Sequence, residues 1–208
     1  MIARDRAVAD VPRRGRPRSE ASRKAILRAA SELLLEHGLH AISMDAVAER
    51  AGASKATIYR WWPSKELLAL DALFSDWAPA GGAGYDTGLL AGDLLALTLP
   101  WARQLAAKPY GRVIAALITS AQSDPRFAEV YRARFLQPRR DLARVIFNRA
   151  IERGEIPADT DIEVALDLLY GPFYHRLLHG HAQLTDGFTR AIIDHVVTAV
   201  GRPPGRPR

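Results

Sequence analysis

Residues 43–65 constrain the fold more than any other part of the chain. Ser43, Ser54 and Ser64 each precede a short run with helical patterning, and a serine hydroxyl is a good helix N-cap. The first run covers about residues 44–51, Gly52-Ala53 forms a turn, and the second run covers about residues 55–62, where Pro63 blocks continuation. Ala48 supplies a small side chain where the two runs must pack closely. Gly52, four residues on, permits the positive φ of a tight turn. Ile58, six residues later, returns an apolar side chain to the core, with Val47 and Ala53 around it. Small, then Gly, then β-branched at these spacings is a helix-turn-helix pattern, although an ordinary helical hairpin can carry the same three positions.

The rest of the chain reads as helices too. Ile26, Leu27, Ala30, Leu33 and Leu34 fall on one face of a helix that opens after Ser19 and closes at His37-Gly38. Ser64 caps a fourth helix through Leu67, Leu68, Leu70, Phe74 and Trp77. Residues 78–88, with four glycines and Pro79, read as a loop between domains. Further helices are expected over residues 89–107, bent at Pro100, and over residues 110–122. A longer one runs from the Asp124-Pro125 start signal towards Gly154, with a kink near Pro138. Thr160-Asp161-Ile162-Glu163 matches a capping box and opens a helix to about His181, kinked at Gly171-Pro172. Thr185 opens the last one, which ends near Val200. No segment alternates with period two, so the fold class is all-α, with about nine helices.

Charge is concentrated at the ends. Residues 1–78 carry 13 Lys/Arg against 10 Asp/Glu, residues 79–200 carry 13 against 13, and residues 201–208 carry three arginines and no acid. Residues 1–18 alone hold six arginines against Asp5 and Asp10. With few large apolar side chains, they are expected to be a disordered basic arm. Gly15-Arg16-Pro17-Arg18 recurs as Gly205-Arg206-Pro207-Arg208 in the basic tail. Such an excess suits a polyanion such as DNA, or simply a solvated terminus. Cysteine is absent, which removes disulfides, thiolate catalysis and Cys-bound zinc. No apolar run spans a membrane and no secretory signal is recognisable, so a cytoplasmic protein is expected.

The flanks of the central motif sharpen its meaning. Residues 54–68, Ser-Lys-Ala-Thr-Ile-Tyr-Arg-Trp-Trp-Pro-Ser-Lys-Glu-Leu-Leu, resemble the signature of the TetR family of repressors, and residues 34–38 and 44–52 match it as well. The likeness covers about residues 20–70. More loosely, Asp124-Pro125-Arg126-Phe127 through Pro138-Arg139-Arg140 to Arg153-Gly154-Glu155 is similar to the effector-binding domain of one subgroup. The resemblance implies a three-helix DNA-binding head over residues 19–66 and a helical ligand-binding and dimerisation domain over residues 67–200, with residues 201–208 as a tail. The partners it implies are a double-stranded DNA operator, a small-molecule effector of unknown identity and a second copy of the chain.

Physical roles follow for single residues. Lys55, Ala56 and Arg60 are the candidates for reading base edges: Lys or Arg favours guanine, and Ala meets a thymine methyl. Thr57, Tyr59 and Trp61 are placed on phosphate and sugar, together with the capping Ser43 and Ser54; the resemblance assigns Tyr59 and the position of Trp61 to phosphate. Trp62 falls at the aromatic core position. Lys65 opens a helix, where its charge opposes the dipole unless a phosphate sits there. Arg16 and Arg18 suit an A·T-rich minor groove, or only solvent.

Nothing in the chain assembles a catalytic set, and no cofactor motif is present, so an enzyme is not expected. His175 and His179 are spaced i, i+4 with His181 close by, but no acidic partner shares that face; they read as surface or interface histidines, with no metal. The pair Arg139-Arg140 reads as an exposed helix face. The aromatics Trp77, Trp101, Tyr110, Phe127, Tyr131, Phe147, Tyr170, Phe173 and Tyr174 are spread over several helices. Each reads as core packing, while the resemblance implies that some line an effector pocket. Val164, Leu168, Leu169, Ile192, Ile193, Val196 and Val197 in the last two helices exceed what one subunit covers, which points to a homodimer. The expected function is a ligand-released repressor on a pseudo-palindromic operator. The alternative is a helix-turn-helix protein that binds DNA without a ligand.

Overall fold

The computed structural model describes residues 16–75 and 85–201. It contains α1 (Arg16–His37), α2 (Met44–Ala51), α3 (Lys55–Trp61), α4 (Lys65–Phe74), α5 (Leu90–Ala106), α6 (Lys108–Ser123), α7 (Pro125–Tyr131), α8 (Gln137–Glu152), α9 (Ile162–His179) and α10 (Asp186–Gly201). A π-helical turn, Arg132–Leu136, joins α7 to α8 in one rod, so the described residues form nine rods and no strand. None of these helices is long and apolar enough to cross a membrane.

The caps explain most of the boundaries. The hydroxyls of Ser43, Ser54 and Ser64 accept from the backbone N–H groups of Ala46, Thr57 and Leu67. Gly38 takes φ +79° after α1, and Thr185 Oγ1 accepts from Phe188 N–H at the start of α10. The expected kink near Pro138 takes the form of the π turn, in which Gln137 N–H reaches back to the Arg132 carbonyl. Pro138 has no N–H to give the preceding turn, so the register shifts just before it. Pro100 and Pro172 lie inside α5 and α9, which run through them unbroken.

Two boundaries differ from expectation. Helix α1 starts at Arg16, ahead of Ser19, and so takes in the last residues of the expected arm; Pro17 is tolerated there because a first-turn N–H has no helical acceptor. The capping box at Thr160 does not form. Asp161 is the cap, accepting from Val164 N–H, because Thr160 Oγ1 turns to the Pro157 carbonyl and Glu163 is drawn to Arg140 and Arg144. Residues 1–15, the part of the interdomain loop within residues 76–84, and the tail from 202 lie outside the described residues.

In the head, α1 packs across α2 and α4 and encloses Ile26, Leu34, Val47, Ile58 and Leu68, all essentially inaccessible. In the body, α10 lies along α5 and beside α9, while α8 packs on both α5 and α9. The two parts share a boundary where α1 and α4 meet α6 and α4 meets α7. At the α5–α6 corner, a Cβ on Gly111 would come 2.5 Å from the Leu105 carbonyl oxygen, so only glycine lets these helices approach so closely.

Candidate nucleic-acid interface

The turn between α2 and α3 is closed by backbone geometry. Gly52 sits at φ +61°, ψ +35°, and Ala53 N–H bonds the Ala48 carbonyl at 3.0 Å, so the end of α2 is sealed in one residue. Ile58 is fully buried in the same core as Val47 and Ala48, which turns the opposite face of α3 outward. Lys55, Ala56, Tyr59, Arg60 and Trp61 lie on this exposed face, and Thr57 and Lys65 are half-buried. Tyr59 and Trp61, 50% and 41% exposed, are large rings left in solvent. Ser54 Oγ lies 2.9 Å from Thr57 Oγ1 at the start of α3. Lys55 Nζ pairs with Asp45 on α2. Both partners are over half exposed, so the pair is weak, ~0–1 kcal/mol, and yields readily to a stronger anion.

The far end of α3 is anchored. Trp62 is buried, and its indole N–H donates to Asp71 Oδ2 at 2.9 Å. Asp71 also takes Arg134 Nη1 of the π turn at 2.8 Å and lies 3.8 Å from Arg23 of α1. One carboxylate of α4 therefore holds the end of α3, the shaft of α1 and the body. Arg23 in turn stacks 5.9 Å and 5.7 Å from the rings of Trp61 and Trp62.

The body gathers its aromatics in two groups. Trp101 packs at 5.1–5.9 Å against Tyr170, Phe173 and Tyr174. Tyr131 packs against Phe127 at 6.2 Å and Phe135 at 5.0 Å, and Phe135 against Phe74 at 4.6 Å. Arg139 sits between the groups, its guanidinium 4.0 Å from the Phe135 centroid and 5.5 Å from that of Trp101. Tyr170 Oη donates to the Arg139 carbonyl at 3.1 Å. Burial pushes the phenols of Tyr131 and Tyr170 well above the ordinary tyrosine value and that of Tyr174 up to about 12. Burial also raises Tyr110, partly offset by the Arg139 charge beside it.

A family model described as bacterial regulatory proteins, tetR family, matches residues 26–72, and one described as tetracyclin repressor-like, C-terminal domain, matches residues 85–196. The chain belongs to the TetR family of transcriptional regulators. It is 42% identical over 184 residues to the HTH-type transcriptional regulator YdeS of Bacillus subtilis, covering 87% of this chain and 90% of that protein. The DNA-binding transcriptional repressor TetR of Mycobacteroides abscessus is 32% identical, with 91% of this chain and 98% of that one covered. The crystal structure of the TetR family regulator SCO0332 superposes with a TM-score of 0.70 at 37% identity, over 88% of this chain and 99% of that chain.

Of the seven residues predicted on α3 and at the start of α4, Lys55, Ala56, Tyr59, Arg60 and Trp61 are exposed and Thr57 and Lys65 are half-buried, while Ser43 and Ser54 serve as backbone caps. Trp62 is core, as expected. Arg16 and Arg18 belong to the backbone of the first turn of α1. Of the predicted body residues, Trp101, Tyr110, Tyr131, Tyr170 and Tyr174 face Arg139, while Phe127 packs on Tyr131 and Phe173 on Trp101. Phe147 is buried in α8, and among the described residues it makes no ring contact with the set; Trp77 lies outside the described residues.

Arg139 overturns the exposed-face expectation. It is only 4% exposed, while Arg140 faces Glu163 and Asp167. The signal lay in the sequence. Phe135, Arg139, Ala143, Ile146 and Ala150 repeat at spacings of four and three, so Arg139 stands on the apolar stripe of α8. The carboxylate at Asp71 was also missed; it lies one turn beyond Leu67-Leu68 and reads as an ordinary surface acid. His175 stacks 4.7 Å from His179 and 4.9 Å from His181, and among the described residues no group of His, Asp and Glu is arranged to hold a metal ion.

Proposed function

We propose that this chain is a dimeric repressor which leaves a pseudo-palindromic operator when a small molecule enters its body. The observation that carries the reading is the outer face of α3, where Tyr59 and Trp61 stand in solvent beside Arg60 on a helix fixed from behind by Ile58 and Trp62. Two rings exposed on a seven-residue helix are hard to explain as packing, and they suit contact with a sugar–phosphate backbone. Lys55, Ala56 and Arg60 then read bases, Thr57, Tyr59, Trp61 and Lys65 position the helix, and Arg16 and Arg18 extend the contact beyond it.

Pairing through α9 and α10 is supported by Val164 and Leu168, 53% and 48% exposed, and by an apolar groove of about 470 Å³ lined by Leu168, Pro172, Phe188, Ile192 and Val196. Leu169, Ile192, Ile193 and Val196 are already buried within the subunit, so the surface offered to a partner is narrower than the sequence pattern suggested. A two-fold dimer places two α3 helices on successive major grooves. An effector that favours another head spacing lowers affinity by its differential binding energy, typically ~1–3 kcal/mol. The test is selection of binding sites from random DNA by the full-length protein. Recovery of an inverted repeat with half-sites about one helical turn apart supports the reading, and recovery of no common sequence refutes it.

A further inference from the structure

The three histidines at the end of α9 serve neither the DNA-binding face nor the aromatic core. His175, His179 and His181 are exposed, and their rings lie against one another, with centroids 4.7 Å apart for His175 and His179 and 4.9 Å apart for His175 and His181. Among the described residues none of the three enters a hydrogen bond or an ion pair. Their place on the helix gives them meaning. At 3.6 residues per turn, Val164, Leu168, Gly171, His175 and Leu178 fall within an arc of about 80°, and all five are exposed. Val164, Leu168 and Leu178 are 53%, 48% and 48% exposed. His175 stands on the midline of this stripe. His179 lies to one side, next to Pro172 and the apolar groove that α9 forms with α10. On the other side Glu163 and Asp167 are taken by Arg140 and Arg144.

We propose that this cluster makes pairing of two copies of the chain pH-dependent: the dimer forms with the imidazoles neutral and loosens as they take up protons. The proposal rests on the reading of α9 and α10 as the dimer face and adds its regulation. A partner seated on the stripe removes water from His175, and a charged imidazole loses far more by leaving water than a neutral one. Rings in contact also repel one another once charged, and two-fold symmetry brings a second cluster to the same interface. The surrounding charges do not offset this. On α9, Arg176 is held by the Gln183 carbonyl and the Phe188 ring. From α10 come Asp186, held by Arg103 of α5, and His195, which lines the groove with Nδ1 2.6 Å from the Ala191 carbonyl. Helix α6, which meets α9 at Gly111 and Leu177, carries the cations Lys108 and Arg112. Helix α8 brings Arg140 and Arg144, which are engaged at the far end of α9. Because the neutral form associates, the contribution to pairing is complete well above the ordinary imidazole value of ~6.5 and is lost as pH falls through it. Each proton that must be shed weakens pairing about 10-fold by one unit below that value, and symmetry makes it at least two protons, or about 100-fold.

The test is the dimer dissociation constant of the untagged, full-length protein by sedimentation velocity at about pH 7.5 and about pH 5.5, with a chelator present. Wild type weakens on the order of 100-fold at the lower pH. The combined replacement His175→Gln, His179→Gln and His181→Gln pairs normally at the higher pH and responds less than about 3-fold, whereas His195→Gln keeps the wild-type response. His175→Arg puts a fixed charge on the midline and shows at the higher pH the weak pairing that wild type shows at the lower. Equal constants for wild type at both pH values overturn the proposal. So does a response that survives the triple replacement or vanishes in His195→Gln, or tight pairing by His175→Arg. Loss of helix by circular dichroism at the lower pH overturns it as well, by making acid unfolding the cause. A wild-type chain that stays monomeric at the higher pH refutes the dimer reading and this proposal together, while a dimer indifferent to pH removes only this one.

Discussion

Asp71→Ala is the perturbation that probes the junction between head and body most directly. Asp71 is 19% exposed and accepts the indole N–H of the buried Trp62 and a guanidinium N–H of Arg134. Removing the carboxylate leaves the Trp62 donor without an acceptor in a place that is only 2% exposed, at a cost of about 1–3 kcal/mol. The ion pair with Arg134 adds up to ~1 kcal/mol, because that arginine is 57% exposed and solvent screens it. The total is about 1–4 kcal/mol. For a chain of this length each kcal/mol moves Tm by about 2–4 °C, so a fall of about 2–16 °C is expected by circular dichroism. Asp71→Asn keeps an oxygen for Trp62 and should lose only the smaller, charged part, ~1 kcal/mol or less. In a cycle with Trp62→Phe the two positions should couple by about 1–2 kcal/mol. Equal melting of Asp71→Ala and Asp71→Asn, or strict additivity with Trp62→Phe, would refute the argument that this carboxylate anchors the end of α3.

Tyr59→Ala and Lys65→Ala should weaken all DNA sequences about equally, whereas Lys55→Ala or Arg60→Ala should relax preference at particular positions by ~1–3 kcal/mol; binding titrations on an operator and on random DNA separate the two patterns. Leu168→Glu should give a folded monomer by light scattering and lose operator binding with the dimer, and a dimer that persists would place the interface elsewhere. The Glu163 carboxyl is held below its ordinary value of 4.5, chiefly by hydrogen bonds from Arg140 and then Arg144. Its stabilising contribution is therefore complete above pH 4.5 and is lost as pH falls through the lower folded value, so Glu163→Gln should flatten the acid limb of a Tm-against-pH curve. Deleting residues 201–208 tests the repeated Gly-Arg-Pro-Arg: each phosphate the tail neutralises adds about 0.9 to the log–log salt slope, and an unchanged slope would leave it a solvated tail.

The head was legible because short-range rules govern it. Serine caps, one glycine in the left-handed region and the spacing Ala48–Gly52–Ile58 each have a local cause, and each sits where those rules place it. The body was legible only as a succession of helices. Whether Arg139 or Arg140 turns inward depends on which face of α8 meets α5 and α9, and two adjacent arginines carry opposite answers 100° apart on the helix. A charged pair reads as a solvated surface, and the stripe from Phe135 to Ala150 had to outweigh that reading. Thr160 and Asp161 failed in the same way. Both can cap, and the choice was made by the Pro157 carbonyl and by the two arginines that claim Glu163, which are tertiary contacts that no local pattern contains.

Two arginines with different roles lie on one rod. Arg134, which reaches the head through Asp71, and Arg139, which stands in the aromatic cluster, are five residues apart across the junction of the π turn and α8. Arg139 thus stands on the same stretch of backbone that holds the head's carboxylate. A π turn departs from regular α geometry and is therefore a place where a helix can change register with little loss of hydrogen bonding. Coupling needs an element with two arrangements that both sites bias. Among the described residues this rod, flanked by Pro138 and bonded to α4 at one end and set among the body's rings at the other, has the connections that such an element requires.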